Sequence, residues 1–167
     1  MSKKIVIAGA GIGGLCAALA LAKRGFEVAV YEQSLQLGEV GAGLQLSPNA
    51  MHVLEALGVA AHVKAKAFRP KSAVMRHFQT GKTYFTVPLG DIATQKFAAD
   101  YLHIHRADLH TVLYQECKDS NVSIYLGQAV QSYDQTQQNL TIQFENGESL
   151  EADLLIGADG IKSKVQA

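Results

Sequence analysis

The chain has 167 residues, 48% of them hydrophobic, which is enough for one domain with a buried core but too few for two complete domains. Fifteen basic and fifteen acidic residues give a formal net charge of zero, which excludes a general electrostatic attraction to nucleic acid or to an anionic membrane surface. Cys16 and Cys117 are too few for a disulfide framework, so we expect them to be small core residues of a cytoplasmic protein.

The beginning of the chain predicts a βαβ unit. Ile5 to Ala8 is a short apolar segment with the character of a buried strand, and Phe26 to Tyr31 is a second one. Between them, Leu15 to Ala22 is almost continuously apolar and ends at charged residues, which favours a buried helix. Two strands joined through a helix run parallel, so these segments indicate the start of a parallel sheet.

A Gly-x-Gly-x-x-Gly pattern occupies the turn between the first strand and the helix, as Gly9, Gly11 and Gly14. In such a turn the first glycine permits the sharp bend, the second lets a pyrophosphate approach the main chain, and the third lets helix and strand pack closely. The helix N-terminus offers unpaired N–H groups to the phosphates. Glu32, at the end of the second strand, is placed to accept hydrogen bonds from an adenosine ribose. Together these features predict dinucleotide binding.

Two other interpretations of this stretch are open. A secretory signal peptide would explain the Lys3-Lys4 start and the apolar run with small residues near Ala20 and Ala22. The repeated glycines and the strand that leads to Glu32 argue against it. A purely structural glycine-rich turn is the second alternative, and the order of strand, turn, helix, strand and acid argues against that.

The remaining chain predicts a series of short elements. In the middle of the chain, the sequence predicts a Gly-rich loop at 41–45 and a helix that starts at Ser47-Pro48 and closes at Gly58. It then predicts a β-hairpin of Ser72 to Phe78 and Lys82 to Val87. A strand from Tyr101 to His105 follows, and Arg106 stands at its junction with a helix that has Asp108 in its first turn. The end predicts an antiparallel meander of Ser123 to Leu126, Ala129 to Tyr133, Leu140 to Phe144 and Ser149 to Ala152, a buried strand Leu154 to Ile156, and a new helix from Ser163 to Ala167.

Two clusters outside the glycine turn contain the residue types of a binding site. Lys64 to Arg76 contains five cations and no acid, which favours a solvated face over a docking patch for a phosphate-bearing ligand. His103 and His105 alternate onto one face of a strand, as two metal ligands would. No third ligand stands at a matching spacing, so ordinary packed or surface histidines are favoured and no metal is expected.

In their order along the chain, these motifs resemble a known family. Gly9 to Gly14 with Glu32, the 41–45 loop that enters Ser47-Pro48, the Arg106 to Leu109 junction and Gly157 to Gly160 are similar to the N-terminal part of the single-component FAD-dependent aromatic hydroxylases, especially those like salicylate hydroxylase and 3-hydroxybenzoate 6-hydroxylase. The resemblance implies an α/β fold: a Rossmann-type FAD-binding domain with a parallel sheet and antiparallel accessory strands. It covers residues 1–167 and places 70–105 as strands on the substrate side.

The resemblance also implies roles for individual residues. The expected FAD contacts are Gly9, Gly11, Ile12, Gly13 and Gly14 at the pyrophosphate, Glu32 and Gln33 at the adenosine ribose, Gly43 and Gln45 near the isoalloxazine ring, Arg106 at the flavin nucleotide, and Asp159 and Gly160 near the pyrophosphate and the approach of NAD(P)H. In the family NAD(P)H reduces FAD, which then reacts with O₂ and hydroxylates a phenol-like ring. The implied partners are a small aromatic substrate and O₂, and neither nucleic acid nor a membrane is expected. A homo-oligomer is left open.

Three departures from the family pattern bear on these expectations. Gln45 stands where some relatives that hydroxylate hydroxypyridines carry histidine, which weakens that subclass, and Gln166 stands where arginine is common. The family's later Gly-Asp motif and most of the substrate-covering sheet lie outside these residues, so we expect a fragment or a truncated product that is inactive alone. A non-catalytic nucleotide-binding module and an NAD-dependent dehydrogenase are the alternatives, and Gly157 to Gly160 argues against the second.

Overall fold

In the computed structural model, which describes residues 3–38, 41–137 and 139–166, the chain divides into two compact units. The first unit contains both ends of the chain, up to residue 39 and from residue 110, and the second contains residues 40–109. The elements, in chain order, are β1 (Lys4–Ala8), α1 (Ile12–Ala22), β2 (Glu27–Glu32), β3 (Gly43–Leu46), α2 (Pro48–Ala56), α3 (Ala60–Lys66), β4 (Ser72–Arg76), β5 (Thr83–Pro88), α4 (Gly90–Phe97), β6 (Leu102–His105), α5 (Arg106–Asp119), β7 (Ser123–Leu126), β8 (Val130–Gln135), β9 (Leu140–Phe144), β10 (Ser149–Ala152), β11 (Leu154–Gly157) and a 3₁₀ turn (Gly160–Lys162).

The first unit is built on a parallel sheet with the strand order β11-β1-β2-β7. The predicted βαβ unit is therefore confirmed, with α1 joining β1 to β2. One face of α1 is buried, including Leu15 and Leu19, neither of which is exposed at all. Burial of a leucine side chain stabilises a fold by about 1.5–3 kcal/mol, so these two residues alone hold α1 firmly in the unit.

A three-stranded antiparallel sheet, in the order β10-β9-β8, packs against the parallel sheet. Ile142 and Phe144 of β9 form one buried cluster with Val6 and Ala8 of β1. Alternate residues of a strand point to the same face, so β9 contributes its even-numbered apolar residues to this core. The predicted antiparallel accessory strands are thus present, and the α/β fold class is confirmed.

The described part of the second unit contains two small antiparallel sheets, the helices α2, α3 and α4, and the start of α5. The strands β4 and β5 form the predicted hairpin, all of whose residues are exposed, and β3 pairs with β6. In α2, Ser47 takes the N-cap position but does not cap it, because its hydroxyl donates to Asn49 Oδ1. Gly58 closes the helix in the left-handed conformation, with φ +78°.

Several sequence predictions for this second unit were wrong. The supposed loop at 41–45 becomes strand β3 from Gly43 onward, since Gly43 to Leu46 finds a hydrogen-bonding partner in β6. The helices α3 and α4 were not predicted, and α4 interrupts the stretch 70–105 that was assigned to strands. Both helices are short, so their apolar period spans too few residues to stand out.

Three predictions in the first unit also require correction. The strand β7 belongs to the parallel sheet, beside β2, and not to the antiparallel meander. The strand β11 is an edge strand and is not fully buried: Leu154 is 47% exposed. No helix forms over residues 163–166, because the chain makes a single 3₁₀ turn at Gly160–Lys162 instead; Ala167 lies outside the described residues.

In the part of the chain that the structure describes, no helix has both the length and the apolar character needed to cross a membrane.

Candidate dinucleotide site

The two glycine motifs of the sequence meet at the carboxyl ends of β1 and β11. Ala8 pairs in register with Gly157, and the Ala158 N–H donates a hydrogen bond of 2.7 Å to the Ala8 carbonyl. From β1 the chain first moves to β2 on one side, and β11 later pairs on the other side. In open α/β sheets, ligands bind at the carboxyl ends of the strands where the strand order reverses in this way.

The three glycines of the first turn have three distinct physical roles. Gly9 has φ +101°, and a Cβ there would lie 2.4 Å from the Ala158 carbonyl oxygen. A Cβ on Gly14 would lie 2.0 Å from the carbonyl oxygen of Gly9, so Gly14 allows α1 to pack under the turn. A Cβ on Gly11 would meet nothing within 4 Å. Gly11 therefore faces open space that a ligand can enter, as the sequence pattern predicts for the second glycine.

The Glu32 carboxylate is held by the main chain. Its Oε2 accepts a hydrogen bond of 2.8 Å from the Ala10 N–H, and its Oε1 accepts one of 2.9 Å from the Ser34 N–H. Each carboxylate oxygen has two lone pairs, so the group retains the capacity to accept further bonds from a ligand hydroxyl. Glu32 thus fastens the glycine turn to the end of β2 while still lining the cavity described below.

The Asp159 carboxylate organises the turn that follows β11. It accepts hydrogen bonds from the Ser163 hydroxyl at 2.6 Å and from the Lys164 N–H at 2.7 Å. Partial burial acts to raise the pKa of Asp159, but these hydrogen bonds outweigh it and the pKa is lowered. Gly160 follows with φ +81°, a conformation that favours glycine.

A cavity of about 390 Å³ opens where these two turns meet. It brings together six predicted site residues: Gly9, Gly11, Glu32, Gln33, Asp159 and Gly160. Gly14 is buried beneath the turn, and Ile12 and Gly13 lie in the first turn of α1. The first turn of a helix has unpaired N–H groups and a partial positive charge, which suit a phosphate group.

The cavity wall includes residues that sequence reasoning missed: Tyr31, Gln128, Ala129, Val130, Glu145, Lys162 and Lys164. The two lysines come two and four residues after Gly160, so their proximity to the Asp159-Gly160 motif is a sequence signal that points to them. Gln128 and Glu145 come from loops far along the chain, and nothing in the sequence links them to the glycine turn. Burial, with smaller effects from Tyr125 and Glu148, raises the pKa of Tyr31, whose ring stacks on that of Tyr125 at 4.8 Å between centroids.

Three of the predicted site residues belong to the second unit. Gly43 and Gln45 lie on β3, where the Gln45 side-chain oxygen accepts a hydrogen bond of 2.9 Å from the Tyr101 hydroxyl. Arg106 begins α5 at the predicted strand-to-helix junction, and its N–H donates to the Ala42 carbonyl. The same unit contains His103 and His105; among the residues described here, no group of three or more His, Cys, Asp or Glu is placed to hold a metal ion.

Three cations of the basic run, Lys64, Lys66 and Arg69, pair with acids from elsewhere in the second unit. Lys64 pairs with Asp100 at 3.1 Å, and Arg69 pairs with Asp100 and Asp91. The hydrogen bond from Lys64 is the largest factor that lowers the pKa of Asp100, and the bond raises the pKa of Lys64. Exposed pairs of this kind contribute about 0–1 kcal/mol each, so these pairs add little to the stability of the unit.

Comparison with known proteins identifies the domain. The family model described as "FAD binding domain" matches residues 2–167, which is nearly the whole chain. The chain belongs to this FAD-binding domain family. The resemblance drawn from the residues is therefore confirmed, and FAD is the dinucleotide. The open space at Gly11, the helix N-terminus and the two lysines at the cavity fit the pyrophosphate of that cofactor.

Relatives of this FAD-binding domain are flavoprotein hydroxylases. The chain is 36% identical over 165 residues to 6-hydroxynicotinate 3-monooxygenase of Pseudomonas fluorescens, covering 99% of this chain and 42% of that protein. It is 37% identical over 163 residues to 3-hydroxybenzoate 6-hydroxylase of Polaromonas naphthalenivorans, covering 97% and 41%. The chain thus spans less than half the length of these relatives.

Solved structures share the fold. The tetrameric form of 2-methyl-3-hydroxypyridine-5-carboxylic acid oxygenase matches 98% of this chain and 41% of its own, with a TM-score of 0.85 and 29% identity. An HpxO variant of Klebsiella pneumoniae complexed with FAD matches the same shares with a TM-score of 0.88 and 27% identity. The α/β architecture with one parallel and several antiparallel sheets is therefore that of flavin-dependent oxygenases.

Proposed function

We propose that the chain is the FAD-binding part of an NAD(P)H-dependent monooxygenase that hydroxylates a small aromatic ring. The observation that carries the proposal is the convergence of the Gly9 turn, Glu32 and the Asp159-Gly160 turn on one cavity. This combination suits FAD, and both relatives compared above are named as enzymes that hydroxylate an aromatic ring. Neither observation favours a dehydrogenase or a binding module without catalysis.

Within the proposal, the chain's own residues bind and orient the cofactor. Gly11, Ile12 and Gly13 receive the pyrophosphate, with Gly9 and Gly14 shaping the turn; Glu32 and Gln33 receive the adenosine ribose. Asp159 and Gly160 lie on the pyrophosphate side. When bound, the flavin supplies the redox and oxygen chemistry, and the protein's task is to orient it and to exclude water from the reacting centre.

The proposed roles of the second unit concern the ring end of the flavin. Gly43 and Gln45 of β3 are assigned to the isoalloxazine side and Arg106 to the flavin nucleotide, with 70–105 toward the substrate. The hydrogen bond from Tyr101 supports the assignment of Gln45, because it fixes the side-chain oxygen as an acceptor and leaves the amide N–H groups as donors. No side chain of the chain is assigned as a catalytic acid or base.

The proposed substrate is a hydroxybenzoate-like ring. A 3-hydroxybenzoate 6-hydroxylase and a 6-hydroxynicotinate 3-monooxygenase are 37% and 36% identical to the chain, so identity does not separate benzene rings from pyridine rings. The benzoate preference rests on Gln45. We also propose a homo-oligomer, as in the tetrameric relative, and a cytoplasmic location, which the two unpaired cysteines support.

The test has two stages. Because the chain is proposed to be only the FAD-binding part of the enzyme, the whole protein that contains it is purified first. Its flavin is measured by absorbance and by release on denaturation, and we expect bound FAD. NAD(P)H oxidation is then followed with 3-hydroxybenzoate, salicylate and 6-hydroxynicotinate in turn, with chromatography of the products. Stoichiometric hydroxylation of a benzoate supports the proposal. Flavin without any substrate-stimulated NAD(P)H oxidation would favour the binding module instead.

A further inference from the structure

One buried histidine contacts the glycine turn without lining the cavity. Within the described part of the chain, His110 is the single polar or charged side chain that is buried, with 6% of its surface exposed. It lies in α5, which is the helix that packs beside α1 in the first unit: Cys117 of α5 contacts the Leu15 carbonyl and Lys23 pairs with Glu116. A buried polar group needs a specific partner, and the partner of His110 is informative.

That partner is the main chain of the turn. His110 Nε2 lies 2.7 Å from the Ala10 carbonyl oxygen. A carbonyl oxygen can only accept a hydrogen bond, so Nε2 must carry the hydrogen, and the partner determines which nitrogen is protonated. Ala10 is itself 1% exposed, so this carbonyl has no access to water as an alternative donor.

The contact sets the direction of a peptide group at the cavity. The carbonyl of Ala10 and the N–H of Gly11 belong to one planar trans peptide, in which the two bonds point in opposite directions. With its oxygen turned toward His110, this peptide presents the Gly11 N–H to the opposite side. Gly11 lines the cavity, and a Cβ on it would meet nothing within 4 Å.

The preceding peptide is held from the other side. The Ala10 N–H donates to Glu32 Oε2 at 2.8 Å, so the two peptide groups that flank Ala10 are each fixed by one side chain. Glycine residues at 9 and 11 give this turn more backbone freedom than any other residue would. Ordering such a flexible backbone when a ligand binds would cost conformational entropy and weaken the binding. Two hydrogen bonds to Ala10 remove that freedom before a ligand arrives.

We propose that His110 is a positioning residue for the phosphate-binding turn: it orients the peptide between Ala10 and Gly11 so that the Gly11 N–H is preorganised for the flavin pyrophosphate. The proposal rests on FAD binding by this cavity. Its immediate consequence, an ordered turn, belongs to the protein without flavin and is measurable there.

The experiment compares His110→Leu, which removes the donor, with His110→Gln, whose amide nitrogen occupies nearly the position of Nε2. His110→Asn is included because its shorter side chain keeps polarity but does not reach the carbonyl. His62→Gln, an exposed histidine of α3, is the control for loss of a histidine. Three quantities are measured: amide hydrogen exchange of residues 9–14 in flavin-free protein, the thermal midpoint, and the FAD dissociation constant by fluorescence titration.

We expect faster exchange at the turn and a dissociation constant raised about three- to tenfold in His110→Leu and His110→Asn, as for one lost neutral hydrogen bond. His110→Gln should remain within about twofold of the wild type, and His62→Gln unchanged. If His110→Leu does not fold, the Gln and Asn pair gives the same comparison. Unchanged exchange and affinity in the Asn variant, or equal losses in Gln and Asn, would overturn the positioning role.

The outcomes also separate this proposal from the proposed function. If the wild-type protein binds no FAD, the flavin function is contradicted. If, in the same flavin-free protein, amide exchange at the turn is faster in His110→Asn and not in His110→Gln, the ordering of the turn by His110 still holds. A protein that binds FAD equally well in all variants would contradict only the role of His110.

Discussion

Gly14 approaches Gly9 so closely that a Cβ on Gly14 would lie 2.0 Å from the Gly9 carbonyl oxygen. Gly14→Ala therefore requires α1 to move away from the turn, and overpacking of this kind costs about 1–3 kcal/mol or more. We expect the thermal midpoint of flavin-free protein to fall by several degrees, as measured by circular dichroism.

Gly11→Ala is the matched comparison, because the added methyl group meets nothing within 4 Å. The flavin-free protein should keep its thermal midpoint within a few degrees, while FAD affinity falls as the methyl group takes the space expected for the pyrophosphate. A loss of stability in Gly11→Ala as large as that in Gly14→Ala would contradict this division of roles.

Glu32→Gln should weaken both the turn and FAD binding. The amide keeps one oxygen, but its NH₂ group cannot accept from the second of the two N–H groups, Ala10 and Ser34. Hydrogen bonds to charged groups contribute about 1.5–3 kcal/mol, so the FAD dissociation constant should rise roughly ten- to a hundredfold. Glu151→Gln, an exposed carboxylate on β10, should leave fluorescence titrations unchanged.

Arg106→Ala should lower FAD affinity or the rate of flavin reduction. It should barely change the thermal midpoint of flavin-free protein, because Arg106 is exposed and even an ion pair at an exposed site contributes only about 0–1 kcal/mol. Arg106→Lys keeps the charge but loses the planar guanidinium, and should recover only part of the affinity. A large loss of stability with normal flavin content would assign Arg106 to the fold and not to the flavin.

The lowered pKa of Asp159 predicts how stability depends on pH. A carboxyl group with a depressed pKa in the folded state stabilises the fold above its unfolded pKa, and that contribution is lost as the pH falls through the folded value. Above about pH 5, the thermal midpoint of the wild type should exceed that of Asp159→Asn by the full difference. That difference should shrink below the usual Asp pKa of about 3.9. A difference that stays constant down to about pH 2 would mean that the Asp159 charge has no part in the turn.

Both cysteines should be unreactive in the folded protein. Burial, with smaller effects from Cys16 and Glu116, raises the pKa of Cys117 to about 12, and burial also raises the pKa of Cys16. Because the thiolate is the reactive form, labelling with a disulfide reagent at about pH 8 should be slow until denaturant is added. Rapid labelling of either residue in native protein would show that the α1–α5 contact opens readily.

The sequence alone determined the first βαβ unit, the glycine turn and Glu32, and through the order of its motifs it indicated the FAD-binding family. These features are local: strand, turn and helix follow one another within about 30 residues, so spacing and residue type report them directly. The hairpin β4–β5 and the start of α5 at Arg106 were predicted for the same reason, since a turn or a junction is encoded by neighbouring residues.

Tertiary structure alone decided which distant residues complete the site. The strand β11 pairs with β1, which brings Ala158 against Gly9, and β7 pairs with β2 instead of joining the antiparallel strands. The residues of a single strand do not specify either pairing. No sequence motif surrounds His110, but its Nε2 donates a hydrogen bond to the Ala10 carbonyl oxygen. The physical reason is that an apolar strand or a buried polar side chain specifies only the kind of partner that it needs. Which distant group becomes that partner is determined when the chain packs.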